Sequence, residues 1–196
     1  MIAREMPSRS VHTVVVDDFT GGVLAARNLL ELGHTRIAVL AEQEKVVSSR
    51  ERVRGFRQAM LERGQELPGS WVCSCNYAIE DGKLWTLELL RQSDRPTALF
   101  CCNDLLAIGA IQAARELSLR LPADLSVIGF DNTILASVTD PPLTTVAQPI
   151  DSMATTVVDL LIGQIKKVSS ARQRIVLQPE IIVRASTAAP AAGLQK

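Results

Sequence analysis

The chain has 196 residues, 47% of them hydrophobic, and its 21 Lys and Arg balance 21 Asp and Glu. That content supplies the core of one α/β domain, or of one domain plus part of a second, and it excludes a disordered chain. Zero net charge excludes the overall basic field of a self-sufficient nucleic-acid binder, and no apolar run approaches the roughly 20 residues that span a bilayer.

In chain order, MIAREMPSRS reads as a strand end running into a loop. It lacks the apolar core of a signal peptide, so a cytoplasmic location is expected. Val11 to Val16 is the first apolar run and stops at Asp17 and Asp18. Gly21-Gly22 opens a helix to Leu32, with Val23, Ala26 and Leu30 on one face and Gly33 as its stop. Ile37 to Ala41 reads as a buried strand. Ser49, Val53, Phe56 and Met60 recur at helical spacing and predict a helix from Ser48 to Arg63, with Arg50, Arg52, Arg54 and Arg57 spread over its other faces. Trp71 to Cys75 is a short strand, Asn76 to Asp81 a polar loop containing Tyr77, and Gly82 to Arg91 a helix.

The stretch from Pro96 to Asn132 organises the rest. An apolar run, Ala98 to Cys102, ends in Asn103-Asp104; a helix follows over Leu105 to Leu117; a second run, Ser126 to Phe130, ends in Asp131-Asn132. Two parallel strands joined by a crossover helix point the same way, so Asn103 and Asp131 emerge on one edge of a sheet, the edge outside which ligands of open α/β sheets bind. Beyond it, Pro141, Pro142 and Pro149 forbid helix and favour an extended, partly loop-like path. A long helix from Ile150 to about Lys167 carries Ile150, Ala154, Val157, Leu161 and Ile165 in one stripe; Arg174 to Leu177 and Ile181 to Val183 are strands, and the tail over 188–196 reads as disordered. The strict alternation of strand and helix predicts an α/β fold: a parallel sheet with helices on both faces.

Catalytic signatures are missing. There is no G-x-S-x-G elbow, P-loop or G-x-G-x-x-G, and Gly21-Gly22 is better explained by close helix packing. His34 follows a helix stop, where a cap or surface role is expected, and His12 lies in a strand lead-in. The four cysteines, Cys73, Cys75, Cys101 and Cys102, fit no zinc spacing and read as buried thiols. No metal, cofactor or enzymatic activity is expected. Binding requires less: carboxylate and amide oxygens accept from hydroxyls, a guanidinium donates in a fork, and an aromatic ring covers an apolar face. Each candidate also has a plain structural role open to it. Asn103 can cap the following helix, Asp131 can satisfy a loop, Arg52 can pair with Glu51 or Glu62 on a solvated face, and Tyr77 can be loop packing.

VVVDDFTGGVLAARNLLELGHTRIAVL, SSRERVRGF, PTALFCCNDLLAIGA, LPADLSVIGFDN, PPLTTVAQP and the closing RAST resemble, in order and spacing, successive landmarks of the LacI/GalR family of bacterial transcriptional repressors, from about Val11 to Thr187. The resemblance implies a type I periplasmic-binding-protein-like fold, two α/β subdomains that close on a sugar-like or nucleoside-like effector. Carried over by motif, Arg52, Asn103 and Asp131 match effector-contacting positions, and Ser48, Tyr77 and Gln148 match positions that often line the same cleft. Cys101-Cys102, where small apolar residues are usual, and Asn132, where Asp is common, depart from the pattern.

The resemblance also implies an effector domain over 1–187, in which 18–147 with 177–187 form a complete C-terminal subdomain and 1–17 with 148–176 are remnants of the N-terminal one. A homodimer is implied, as is operator DNA bound only through a helix-turn-helix headpiece that this chain does not contain. The stripe from Ile150 to Ile165 then lacks its partner, leaving an apolar face on the order of several hundred Å² and a chain expected to aggregate or self-associate. Two other classes share such a fold: a solute-binding component of a transport system, and a small α/β enzyme acting on a sugar or nucleotide.

Overall fold

Strands covered on both faces read as unbroken apolar runs, and each run named above becomes a strand. The computed structural model describes residues 11–166 and 172–191. Its elements are β1 (Thr13–Val16), α1 (Asp18–Glu31), β2 (Ile37–Glu42), α2 (Val47–Glu62), β3 (Val72–Cys75), α3 (Ile79–Leu90), β4 (Ala98–Cys101), α4 (Asp104–Glu116), β5 (Ser126–Asp131), α5 (Ile134–Val138), β6 (Thr144–Ala147), α6 (Ile150–Ile165), β7 (Arg174–Leu177) and β8 (Glu180–Ile182). The expectation for residues 1–10, the last residue of the long helix and the tail from 192 onward fall outside the described residues.

One sheet has six strands in the order β3-β2-β4-β5-β6-β8, and a second pairs β1 with β7. The first five strands of the larger sheet run parallel, as expected, whereas β8 runs antiparallel to β6. The reason is topological. The chain returns from β7 at the carboxyl end of the layer, where the Asp17 amide donates to the Leu177 carbonyl at 2.8 Å, and from there it can only run back.

Helices cover both faces. On one, Ala25, Ala26 and Leu29 of α1 and Phe56, Ala59 and Met60 of α2 pack on Val39, Phe100 and Phe130. On the other, Leu89 and Leu90 of α3 and Leu106, Ala110 and Ile111 of α4 pack on Leu40, Leu99 and Val127. The α1–α2 contact depends on glycine: a Cβ at Gly22 would overlap the Arg52 carbonyl, and one at Gly55 the Phe19 carbonyl. Close helix packing is thus the role of Gly22.

Several local expectations change. The short helix α5 precedes Pro141, in a stretch where helix was not expected. Helix α1 starts at Asp18 because the Asp17 side chain accepts from the Thr20 amide at 2.9 Å. His34 is not at the surface. It is 1% exposed, with Nδ1 2.9 Å from Thr97 Oγ1 and Nε2 2.8 Å from the Ala188 carbonyl. Ala188, placed in a disordered tail, is held there and donates its amide to Ser126 Oγ at 3.1 Å.

The smaller unit is bare by comparison. Only Met153 of α6 is buried, while Ile150, Leu161 and Ile165 of the expected stripe are 55%, 53% and 79% exposed. No described helix is long and apolar enough to cross a membrane.

Candidate ligand-binding site

Parallel order brings the ends of β4, β5 and β6 to one edge, and with them Asn103, Asp131 and Gln148. Helix α2 starts on the same edge after β2, and Tyr77 follows β3 there. Asp131 is the centre. Its Oδ1 accepts from Gln148 Nε2 at 2.6 Å, its Oδ2 accepts from the Tyr77 hydroxyl at 3.3 Å, and Arg52 Nη1 lies 3.6 Å from Oδ1.

Arg52 is 5% exposed, so the pairing with Glu51 or Glu62 on a solvated face does not occur. Its Nε donates to Asp18 Oδ1 at 2.7 Å, its Nη1 donates to the Cys102 carbonyl at 2.5 Å, and its guanidinium lies over the Phe130 ring, 3.6 Å from the centroid. Three supports from α1, β4 and β5 fix a planar fork, which a lysine ammonium would not reproduce. Glu51 is taken by Arg54 instead.

Asn103 is fully buried and takes the capping role open to it. Its Oδ1 accepts from the Leu106 amide at 2.8 Å and caps α4, while its Nδ2 is buried without a partner among the described residues. A buried donor without an acceptor is costly, and an acceptor brought to this edge would satisfy it. The Gln148 Oε1 atom is likewise buried and unpartnered. Ser48 is half-buried in the first turn of α2 and is not hydrogen-bonded to this group; its neighbour Ser49 is the buried one, with Oγ accepting from the Glu42 amide at 2.9 Å. The helical spacing of Ser49 with Val53, Phe56 and Met60 already pointed to that burial.

Three supporting residues escaped the sequence reading of the site. Asp18 stands beside Asp17 at the end of the first apolar run, and nothing in that pattern shows that it meets Arg52. Asp104, 1% exposed, accepts from the Thr133 amide at 2.7 Å, the Thr133 hydroxyl at 3.0 Å and the Thr145 hydroxyl at 2.7 Å. Arg184, the first residue of RAST, donates to Asn132 Oδ1 at 2.6 Å. Together they hold the loop in which Asp131 and Asn132 have φ of 110° and 55°, a region L side chains rarely adopt. The Asn-Asp pair at a strand end was the available signal for Asp104.

Burial pushes the Asp131 carboxyl above its ordinary value, against the opposing pull of Arg52, Gln148 and Tyr77. Burial also raises Asp18, offset in part by Arg52. For Arg52 burial acts downward, but Asp18 and Asp131 outweigh it and the guanidinium is held above its usual value. The Tyr77 phenol is pushed up to about 12 by burial and by Asp131, so it serves as a donor at neutral pH. Cys102, beneath Arg52, is raised to about 12 by burial and carries an inert thiol. Among the described residues no cluster of His, Cys, Asp and Glu is arranged to hold a metal.

This edge is a wall rather than an enclosed cavity; Tyr77 is 55% exposed. A groove of about 530 Å³ lies elsewhere, between α2 and β3, lined by Val53, Leu61, Val72 and Arg57 and by none of the predicted site residues. The convergent polar groups, not the groove, mark the site.

Residues 26–187 match the family described as periplasmic binding protein-like domain. The DegA HTH-type transcriptional regulator of Bacillus subtilis (strain 168) is 44% identical over 187 residues, 95% of this chain and 55% of that protein. The ribose operon repressor of Haemophilus influenzae is 36% identical over 166 residues, 85% of this chain and 50% of that protein. Among solved structures, a LacI-family regulator of Enterococcus faecium with bound ribose superposes with a TM-score of 0.86 at 30% identity, covering 96% of this chain and 70% of that one. The regulator CelR in complex with cellobiose gives 0.87 at 32%, covering 94% and 57%. The chain spans about half the length of the curated relatives it matches. With these matches along nearly its whole described length, it belongs to the LacI family and carries that family's periplasmic-binding-protein-like domain.

Proposed function

We propose that this chain senses a small sugar-like or nucleoside-like effector for a transcriptional regulator, and that the edge around Asp131 is one wall of the effector cleft. The observation that carries this is the convergence of Arg52, Tyr77 and Gln148 on one carboxylate, beside the unpartnered Asn103 amide. Asp131 and the Gln148 carbonyl accept from hydroxyls, Asn103 and Arg52 donate to ring or hydroxyl oxygens, and the exposed Tyr77 ring covers an apolar face. Ser48 sits close to the rim. The opposing wall belongs to the other subdomain, of which β1, β7 and α6 are parts; the six-stranded sheet with its helices is the complete one. The relatives' names support the class of ligand, since two of the structures hold ribose and cellobiose.

Effector affinity that differs between open and closed cores biases a DNA-reading headpiece, which is regulation by linkage. Operator contact resides in that headpiece, outside this chain. The regulator pairs with itself through the face of α5, where Ile134 and Val138, one turn apart, are 80% and 70% exposed.

The test is ligand-induced stabilisation. On this chain, and on a version extended to the length of its relatives, ribose, cellobiose and nucleobases are screened by thermal shift. One or more stabilises the extended protein, and Asn103→Ala, Asp131→Ala and Arg52→Gln each remove at least about 1.4 kcal/mol of binding, a tenfold loss. Shifts unchanged in all three variants refute the site.

A further inference from the structure

Arg52 is the only buried lysine or arginine among the described residues, and it does not stand free. Asp18 takes its Nε at 2.7 Å and Asp131 lies 3.6 Å from its Nη1, with carboxylate side chains 16% and 15% exposed. One buried cation therefore faces two carboxylates, and within this trio the negative groups outnumber the positive one. The Arg52 Nη2 atom, which no described residue takes, remains as a donor for a ligand. It is a donor whose charge is already spent.

We propose that Asp18 sets the charge class of the effector: by pairing with Arg52 it turns the wall's buried cation into a neutral hydrogen-bonding fork, so that the wall accepts uncharged hydroxylated ligands and rejects phosphorylated or carboxylated ones. This rests on the reading of the Asp131 edge as the effector wall. Asp18 is suited to the task by its place. It is the first residue of α1, while its neighbour Asp17 caps that helix, so the two adjacent carboxylates divide the work: one for the helix, one for the arginine. The glycine contact between α1 and α2 holds the pair at this distance, since Gly22 lies against the Arg52 backbone. An anion approaching Nη2 meets Asp18 and Asp131 at short range in a poorly solvated setting, where like charges repel strongly. A neutral hydroxyl meets the same donor without that cost.

The test uses inorganic phosphate as the anionic probe and ribose as the neutral one, followed by NMR titration of the full chain. The wild type shows no phosphate uptake that depends on Arg52, judged against Arg52→Gln. Asp18→Asn, which keeps the shape of the side chain, gains phosphate affinity by about tenfold, and Arg52→Gln in the same background removes the gain. Asp18→Ser is a second neutral variant, and both are compared at matched thermal unfolding. Arg52-dependent phosphate uptake by the wild type overturns the proposal without any variant at Asp18. So does a folded Asp18→Asn or Asp18→Ser protein that gains none. Failure of every neutral ligand to bind counts against the effector wall itself, and the phosphate outcome is read independently of it.

Discussion

Side chains that meet across long stretches of sequence decide this protein's chemistry. Arg52 and Asp18 are 34 residues apart, so nothing in either local pattern announces the pair; Arg52 was expected off the apolar face of α2, but it lies three residues after Ser49 and four before Phe56, on the buried face that packs against α1. Asp131 and Asn103 were legible because a strand-helix-strand unit fixes the direction of both strands. His34 was not, because its partners lie at Thr97, Ser126 and Ala188. The Ala188 carbonyl only accepts, so His34 Nε2 carries the hydrogen. Burial lowers the His34 pKa below 6.5, and the folded protein holds the ring neutral. As pH falls through about 6.5 the unfolded chain takes up the proton first, so stability present above that pH is lost below it. Asp18, Asp104 and Asp131, all raised above 3.8 by burial, act in the opposite sense, so they add stability as pH falls. The thermal midpoint should therefore decline from pH 7.5 to 5.5, roughly the histidine range, and His34→Gln should flatten that decline; equal slopes would exclude His34 as its source.

At the level of elements, the alternation of apolar runs with helical periods was readable because parallel strands covered on both faces leave no polar positions to confuse the pattern. Helix α5 was not readable, since five residues before a proline pair carry no period. The orientation of β8 escaped too, because strand direction follows from where the chain re-enters the layer. The α1–α2 contact carries its own prediction. Gly55→Ala drives a methyl into the Phe19 backbone and should cost about 2 kcal/mol in urea unfolding, with ligand-induced stabilisation reduced because Asp18 and Arg52 ride on the two displaced helices. Gly64, with open space around it, is a poor comparison because its φ of 69° penalises any side chain; Gly69, with open space and no such backbone, is the control expected to be silent when changed to Ala.

At the scale of the whole molecule, a well-covered six-stranded layer is joined to a poorly covered unit. A two-stranded sheet is marginal by itself, and α6 leaves Val158, Leu161, Ile162 and Ile165 exposed. Two apolar faces thus compete to govern association. In sedimentation, Leu161→Glu with Ile165→Glu should suppress concentration-dependent aggregation of this chain, whereas Ile134→Glu with Val138→Glu should convert dimer to monomer in the extended protein. A monodisperse wild-type chain that melts cooperatively as a monomer would contradict the first expectation. The backbone passes between the two sheets three times, at Asp17, around Gln148 and at Gln178, and these passages are not independent. The Gln178 amide donates to Asp17 at 3.4 Å, coupling the first to the third, and Gln148 is clasped to Asp131 at 2.6 Å. They behave as three cables of one suspension, two lashed together and one tied to the cleft wall. If the Asp131 edge is the effector wall, a molecule that took the place of Gln148 on Asp131 would release that one connection and leave the other two coupled.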